Sequence, residues 1–73
     1  MNYWIHINKQ IPNYYSDVFL YLEDEDEITI GIAVEHNGEF EGFKEDINDE
    51  FFLNNVTHWQ KIIKPEKPEK IVE

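Results

Sequence analysis

The sequence predicts a mainly β protein with a single small antiparallel sheet of four to five strands, a curled meander with at most one short helical turn. Branched apolar residues alternate with small ones over residues 28–34, which is typical of a strand. Asn37 and Gly38 favour a two-residue hairpin turn with positive φ. A chain of 73 residues is too short for two independent cores. We therefore expect one β-rich domain over residues 1–63 and an extended Lys/Pro/Glu tail over residues 64–73.

Two segments near the N-terminus predict a strand and a loop. Residues 3–7 alternate between two faces, which predicts a first strand. Residues 8–16 are polar and include Pro12, which favours a connecting loop. Within this loop, Ile11 and Tyr15 are the expected anchors on the core.

The middle of the chain predicts two hairpins. Residues 17–22 are apolar on both faces, so we expect a central strand and the best-buried one. Residues 23–27 are five adjacent carboxylates, and the cost of burying unpaired charge predicts an exposed hairpin tip. The strand at residues 28–34 follows, and the turn at Asn37 leads into a strand at residues 39–43.

The C-terminal third is less regular. Residues 45–55 are rich in Asp and Asn but contain two phenylalanines, which predicts an ordered loop or a single helical turn started by Asn48. Residues 56–63 read as the last strand.

Eleven aromatic residues predict an aromatic-rich core, because each ring can bury about 150–250 Å². We interpret both tryptophans, Trp4 and Trp59, as core residues rather than as an exposed partner surface. The small side chains at Thr29, Gly31 and Ala33 leave room for one of these rings.

The charge is strongly negative, with 16 acids, 6 lysines and no arginine, for a net charge of −10. Residues 1–60 hold 13 acids and 2 lysines, a net of −11. This balance disfavours direct nucleic-acid binding and favours a protein partner with a basic surface. The candidate interaction surface consists of the acids of the first predicted hairpin tip and of the strand after the second turn: Glu23, Asp24, Glu25, Asp26, Glu27, Glu39 and Glu41.

The absence of cysteine excludes disulfides, thiolate metal sites and a cysteine nucleophile, and fits a reducing cytoplasm. No apolar run approaches the roughly 20 residues of a membrane helix, and the N-terminus lacks a signal-peptide pattern. We therefore expect a cytoplasmic protein that does not associate with a membrane.

No catalytic, cofactor or metal site is predicted. Ser16 is the only serine and has no motif around it. Residues 23–27 lack the spacing of a calcium loop and are interpreted as a solvated turn. The histidines, His6, His36 and His58, match no zinc spacing. We expect His58 to be structural, with one ring nitrogen bonded to backbone, and His36 to be exposed.

Several short segments stand in a distinctive order: Trp4-Ile5, Ile11-Pro12, Asp17-Val18-Phe19-Leu20-Tyr21, Asn37-Gly38-Glu39-Phe40 and Val56-Thr57-His58-Trp59. This order, over about residues 4–68, resembles the small bacterial and phage proteins grouped as domain of unknown function 551. That family's usual Met-Pro-Leu-Pro continuation is replaced here by residues 60–63. The resemblance implies a compact β-rich domain carried by phages, prophages and mobile elements, and it supplies no catalytic residue. The motif residues are interpreted as structural: Trp4, Pro12, Thr57, His58 and Trp59.

Together these observations predict a non-enzymatic accessory protein, of phage, prophage or mobile-element origin by the resemblance, that acts by binding another protein. One alternative is an acidic DNA mimic that inhibits a host nucleic-acid-binding or defence protein. Another is a small ligand- or metal-binding domain, which predicts a ligand-induced thermal shift that His58→Ala abolishes. The sequence leaves the oligomeric state open.

Overall fold

The computed structural model describes residues 3–63 and Pro68, and in this part of the chain every regular element is a strand of one six-stranded antiparallel sheet. The predicted mainly β class and the single antiparallel sheet are confirmed. The strands are β1 (Ile5–His6), β2 (Val18–Leu22), β3 (Glu27–His36), β4 (Glu39–Glu45), β5 (Asn48–Leu53) and β6 (Val56–Lys61). Apart from Pro68, the predicted tail lies outside the described residues.

The strand order is β1-β6-β2-β3-β4-β5. Strands β2 to β5 form a meander, and β6 returns to lie beside β2 with β1 on its other side. Leu20 of β2 is therefore flanked by Thr29 of β3 and Trp59 of β6. The sheet has six strands rather than four to five, and the return of β6 beside β2 departs from a simple meander.

The strand that the sequence did not predict is β5, which lies in a segment predicted to be a loop or a helical turn. Its residues pair with β4, with Phe52 opposite Lys44 and Leu53 opposite Phe43. The prediction was wrong because it gave most weight to Asp and Asn. Here Asp46 and Ile47 form a tight turn, Asn48 and Asp49 already belong to the strand, and the apolar run at residues 51–53 has high strand propensity.

Both hairpin turns form where they were predicted. Residues 23–27 are exposed at the connection between β2 and β3. Asn37 and Gly38 have φ of 54° and 82° and connect β3 to β4. The N–H of Gly38 donates to the Glu35 carboxylate at 2.7 Å, which stabilises this turn.

One face of the sheet carries the core, and we call it the covered face. Its buried side chains are Val18, Leu20, Leu22, Ala33, Phe43, Val56 and Trp59, with Ile5, Ile7, Ile11 and Leu53 packed against them. The loop at residues 8–16 anchors on this face, because Pro12 is buried and Trp59 Nε1 donates to the Gln10 carbonyl at 2.8 Å. The predicted anchor Ile11 is confirmed.

Tyr15, the other predicted anchor, is 56% exposed. It is held by hydrogen bonds instead of by burial. Its N–H donates to the Ala33 carbonyl at 2.9 Å, and its hydroxyl donates to the Glu35 carbonyl at 3.1 Å.

The core is mostly aliphatic, so the prediction of an aromatic-rich core was wrong. Among the described rings only Phe43 and Trp59 are buried, and Trp4 is 37% exposed. The small side of β3 does lie on the covered face, but Leu20 occupies the space beside it. A Cβ at Gly31 would stand 2.6 Å from Leu20 Cδ1, which leaves no room for another ring.

Candidate functional site

The second face of the sheet is also apolar, and we call it the open face. Cross-strand pairing places Phe19 beside Ile30, and Tyr21 beside Ile28. Within residues 3–63, no further strand or helix packs over this face, since all six strands belong to one sheet. The apolar side chains of the open face are Trp4, Phe19, Tyr21, Ile28, Ile30, Ile32, Val34 and Phe52.

The open face follows from the apolar pattern of β2 and β3. In β2 the residues that alternate with the buried Val18, Leu20 and Leu22 are half-buried aromatics. In β3 the branched side chains point away from the core, and Ile28 and Ile30 are 58% and 41% exposed. Sequence reasoning did not identify this face, although the two-sided apolar pattern of residues 17–22 was its signal.

Three shallow recesses mark the open face. Phe19, Ile28, Ile30 and Ile47 contribute to the largest, of about 440 Å³. A second, of about 300 Å³, is lined by Trp4, Phe19, Ile28 and Gln60. A third, of about 180 Å³, is lined by Trp4, Tyr21 and His58. The face is therefore grooved, with Phe19 and Ile28 shared between the two larger recesses.

The third recess lies in a group of rings that we call the aromatic corner: Trp4, Tyr21, His58 and His6. The ring centroids of Trp4 and Tyr21 are 6.0 Å apart, and those of Tyr21 and His58 are 6.1 Å apart. His6 lies edge-on to His58 at 4.8 Å, since the two residues are cross-strand partners.

Hydrogen bonds fix the two imidazoles. His58 Nδ1 lies 2.8 Å from the Thr57 hydroxyl, so its partner is a side chain and the predicted bond to backbone was wrong. His6 Nδ1 accepts the N–H of Asn8 at 3.0 Å, which places the proton of the neutral ring on Nε2. A metal ion at Nε2 of His6 would have to displace that proton, so this arrangement does not favour metal binding. The third histidine, His36, is exposed at the β3–β4 turn, as predicted.

The acidic tip is connected to the aromatic corner through Tyr21. The Tyr21 hydroxyl donates to Asp26 Oδ1 at 2.6 Å. This hydrogen bond, followed by burial and by the negative charges of Asp26 and Glu23, raises the pKa of Tyr21 above its ordinary value. The ring therefore stays neutral beside two carboxylates.

The predicted interaction surface is split into two groups. The acids of residues 23–27 lie at one end of β3, and Glu39 and Glu41 lie at the other, all of them exposed. Because β3 has ten residues, the two groups are about 30 Å apart. The structure therefore places acids at both ends of the open face rather than in one patch.

A further acidic pair lies at the β4–β5 turn. Partial loss of hydration, a hydrogen bond with Asp17 and the negative charge of Asp17 raise the pKa of Asp46, although its side chain is exposed. Asp46 also lines the largest recess of the open face. Lys44 also lies on this face, and its Nζ lies 4.7 Å from the centroid of the Phe52 ring.

No group of three or more histidine and carboxylate side chains is arranged to hold a metal ion in the described part of the chain. That part also contains no helix long and apolar enough to cross a membrane. Of the remaining motif residues, Pro12 is a buried residue of the loop at residues 8–16, and Thr57 is half-buried beside His58.

No protein-family model, curated protein or solved structure matches this chain. The resemblance to domain of unknown function 551 therefore stays a prediction.

Proposed function

We propose that this protein is a non-enzymatic accessory protein that binds another protein through its open face. The observation that carries the proposal is the exposure of Ile28 and Ile30 on a face that extends across the middle of the sheet. Large exposed apolar patches are typical of protein-binding surfaces, and such interfaces commonly have an apolar centre and a polar rim.

The distribution of charge around the open face indicates the chemistry of the partner's surface. The open-face positions of β2 and of residues 28–34 are all apolar, whereas carboxylates lie at both ends of β3. A net charge of −10 opposes close approach of a second copy and attracts a cationic surface. The partner is therefore a protein whose docking surface has apolar side chains surrounded by lysine and arginine.

The cellular setting is also part of the proposal. The resemblance to domain of unknown function 551 supports an origin in a phage, prophage or mobile element. The absence of cysteine supports a reducing cytoplasm as the place of action.

The test compares two lysine substitutions on opposite faces. Ile28→Lys changes a 58% exposed residue of the open face, and Phe51→Lys changes a 68% exposed residue whose neighbour Phe52 is on that face. Both variants add the same charge. A partner captured from bacterial lysate is purified and titrated against each variant by calorimetry.

We expect Ile28→Lys to raise Kd at least about tenfold, because it places a buried cation in the interface, and Phe51→Lys to change Kd less than about threefold. Equal weakening by the two variants, or a partner without a basic surface, would contradict docking on the open face.

The same titration separates this proposal from the DNA-mimic alternative. A mimic predicts that both lysine variants weaken binding equally and that about 0.5 M salt abolishes it, because screened phosphate-like contacts carry the affinity. Apolar docking predicts slower association in salt but continued binding.

A further inference from the structure

We propose that the aromatic corner binds the cationic head of a lysine or arginine side chain, and this inference rests on the proposed function because the partner would supply that side chain. The recess between Trp4, Tyr21 and His58 has a volume of about 180 Å³, large enough for an alkylammonium or guanidinium group. Cations bind over aromatic faces within about 6 Å of a ring centroid, and tryptophan and tyrosine are the strongest hosts.

Nearby carboxylates strengthen this site. Asp26 accepts the Tyr21 hydroxyl at 2.6 Å, and the negative charge of Glu23 also contributes to the raised pKa of Tyr21. A cation over the Tyr21 ring would therefore interact with the ring face and with two negative charges.

The open face already contains one contact of this kind. Lys44 Nζ lies 4.7 Å from the centroid of Phe52, so that ring has a cation from its own chain. Among the described residues this is the one such contact, and no described lysine lies over a ring of the aromatic corner.

The hydrogen bonds of the aromatic corner involve ring nitrogens and not the ring faces. His6 Nδ1 is bonded to the N–H of Asn8, and His58 Nδ1 to the hydroxyl of Thr57. An alkylammonium group needs only the ring faces, which these bonds leave free.

The experiment is a two-dimensional NMR titration of the purified full chain with tetramethylammonium chloride at pH 8, where free imidazole is neutral. The neutral isostere 3,3-dimethylbutanol is the matched ligand control. The two indole N–H signals report separately, and buried Trp59, 2% exposed, is the internal control for Trp4. We expect saturable shifts of Trp4 and Tyr21 with the cation, and neither a Trp59 shift nor saturation with the isostere.

Two variants locate the effect. Tyr21→Leu removes the ring and is expected to weaken cation binding at least about fivefold, whereas Tyr21→Phe keeps the ring and is expected to stay within about threefold. The amide spectrum of each variant shows that it is folded. Absence of saturation at Trp4, or equal shifts with the neutral isostere, would overturn the proposal.

The outcome is independent of the search for a partner. Tetramethylammonium binding without any captured protein partner would support the cation site and count against open-face docking. A partner that depends on Ile28 but binds Tyr21→Leu with unchanged affinity would overturn the cation site and leave the docking proposal standing.

Discussion

Leu20 is the residue on which the core most depends. It is fully buried between Thr29 and Trp59, and its Cδ1 fills the space beside Gly31. We expect Leu20→Ala to lower the free energy of unfolding by about 2–5 kcal/mol, because it leaves a cavity that the surrounding backbone cannot close. In a domain this small that loss approaches the total stability.

Urea titration followed by circular dichroism measures this change. Ile47→Ala is the control: Ile47 is 90% exposed, so this substitution should change the free energy of unfolding by less than about 0.5 kcal/mol. Equal effects of the two substitutions would show that Leu20 is not the centre of the core.

The Asp17–Asp46 pair predicts a pH-dependent effect. The raised pKa of Asp46 means that the stability it contributes is fully present below its ordinary value of 3.8 and is lost as the pH rises through the raised value. At pH 7 the two carboxylates repel each other. We therefore expect Asp46→Asn to stabilise the protein at pH 7 by less than about 1 kcal/mol, since the pair is exposed and screened.

Thermal melts at pH 7 and pH 3 test this sign. The variant should melt a few degrees higher than the wild type at pH 7, and the difference should vanish at pH 3. A variant that is less stable at pH 7 would show that the Asp46 carboxylate makes a favourable contact.

At the residue scale, local chemistry was predictable and long-range position was not. The positive φ of Asn37 and Gly38 follows from the turn that these two residues favour. Trp4 and Trp59 could not be distinguished, because each stands in an apolar segment that alternates between two faces. The strand register determines which tryptophan lies on the covered face. Ile5, and not Trp4, is the cross-strand partner of Trp59, so Trp4 lies on the opposite face.

At the scale of the elements, β3 depends on close packing at Gly31. A Cβ there would stand 2.3 Å from the Lys44 carbonyl oxygen on β4 and 2.6 Å from Leu20 Cδ1. The Lys44 backbone on β4 cannot move away from such a Cβ as easily as a flexible side chain can. We therefore expect Gly31→Ala to destabilise the sheet by about 1–3 kcal/mol through overpacking.

Gly38→Ala provides the contrast, because nothing lies within 4 Å of its Cβ position and only the positive φ opposes it. Its cost should be about 1 kcal/mol, without displacement of β4. Urea midpoints and the β4 amide shifts of the two variants separate these mechanisms. If Gly31→Ala left both unchanged, the close pairing of β3 with β4 would be wrong.

Strands with clean alternation were predictable, whereas β5 was not. Residues 28–34 have a period of two that no helix satisfies, and β3 extends this strand at both ends. In β5 the polar N-terminal half favours a turn and the apolar C-terminal half favours a strand. Pairing with β4, which brings Leu53 onto the core, decides between them.

At the scale of the whole molecule, residues 3–63 form a single sheet with one covered face and one open face. Composition predicted the acidic surface, but it could not show that the acids of the candidate site lie in two groups at opposite ends of β3. It also could not show which apolar face the loop at residues 8–16 would cover. That choice depends on tertiary contacts such as the Trp59–Gln10 hydrogen bond.

The most direct test of the two-faced sheet is solvent paramagnetic relaxation enhancement of methyl groups in the isolated protein, with an uncharged nitroxide as the probe. We expect strong enhancement at the Ile28 and Ile30 methyl groups and protection at Leu20 and Leu22, which are 0% and 6% exposed. Ile28 and Ile30 methyl groups as protected as those of Leu20 would contradict the account, because they would show that the second face is covered before any partner binds.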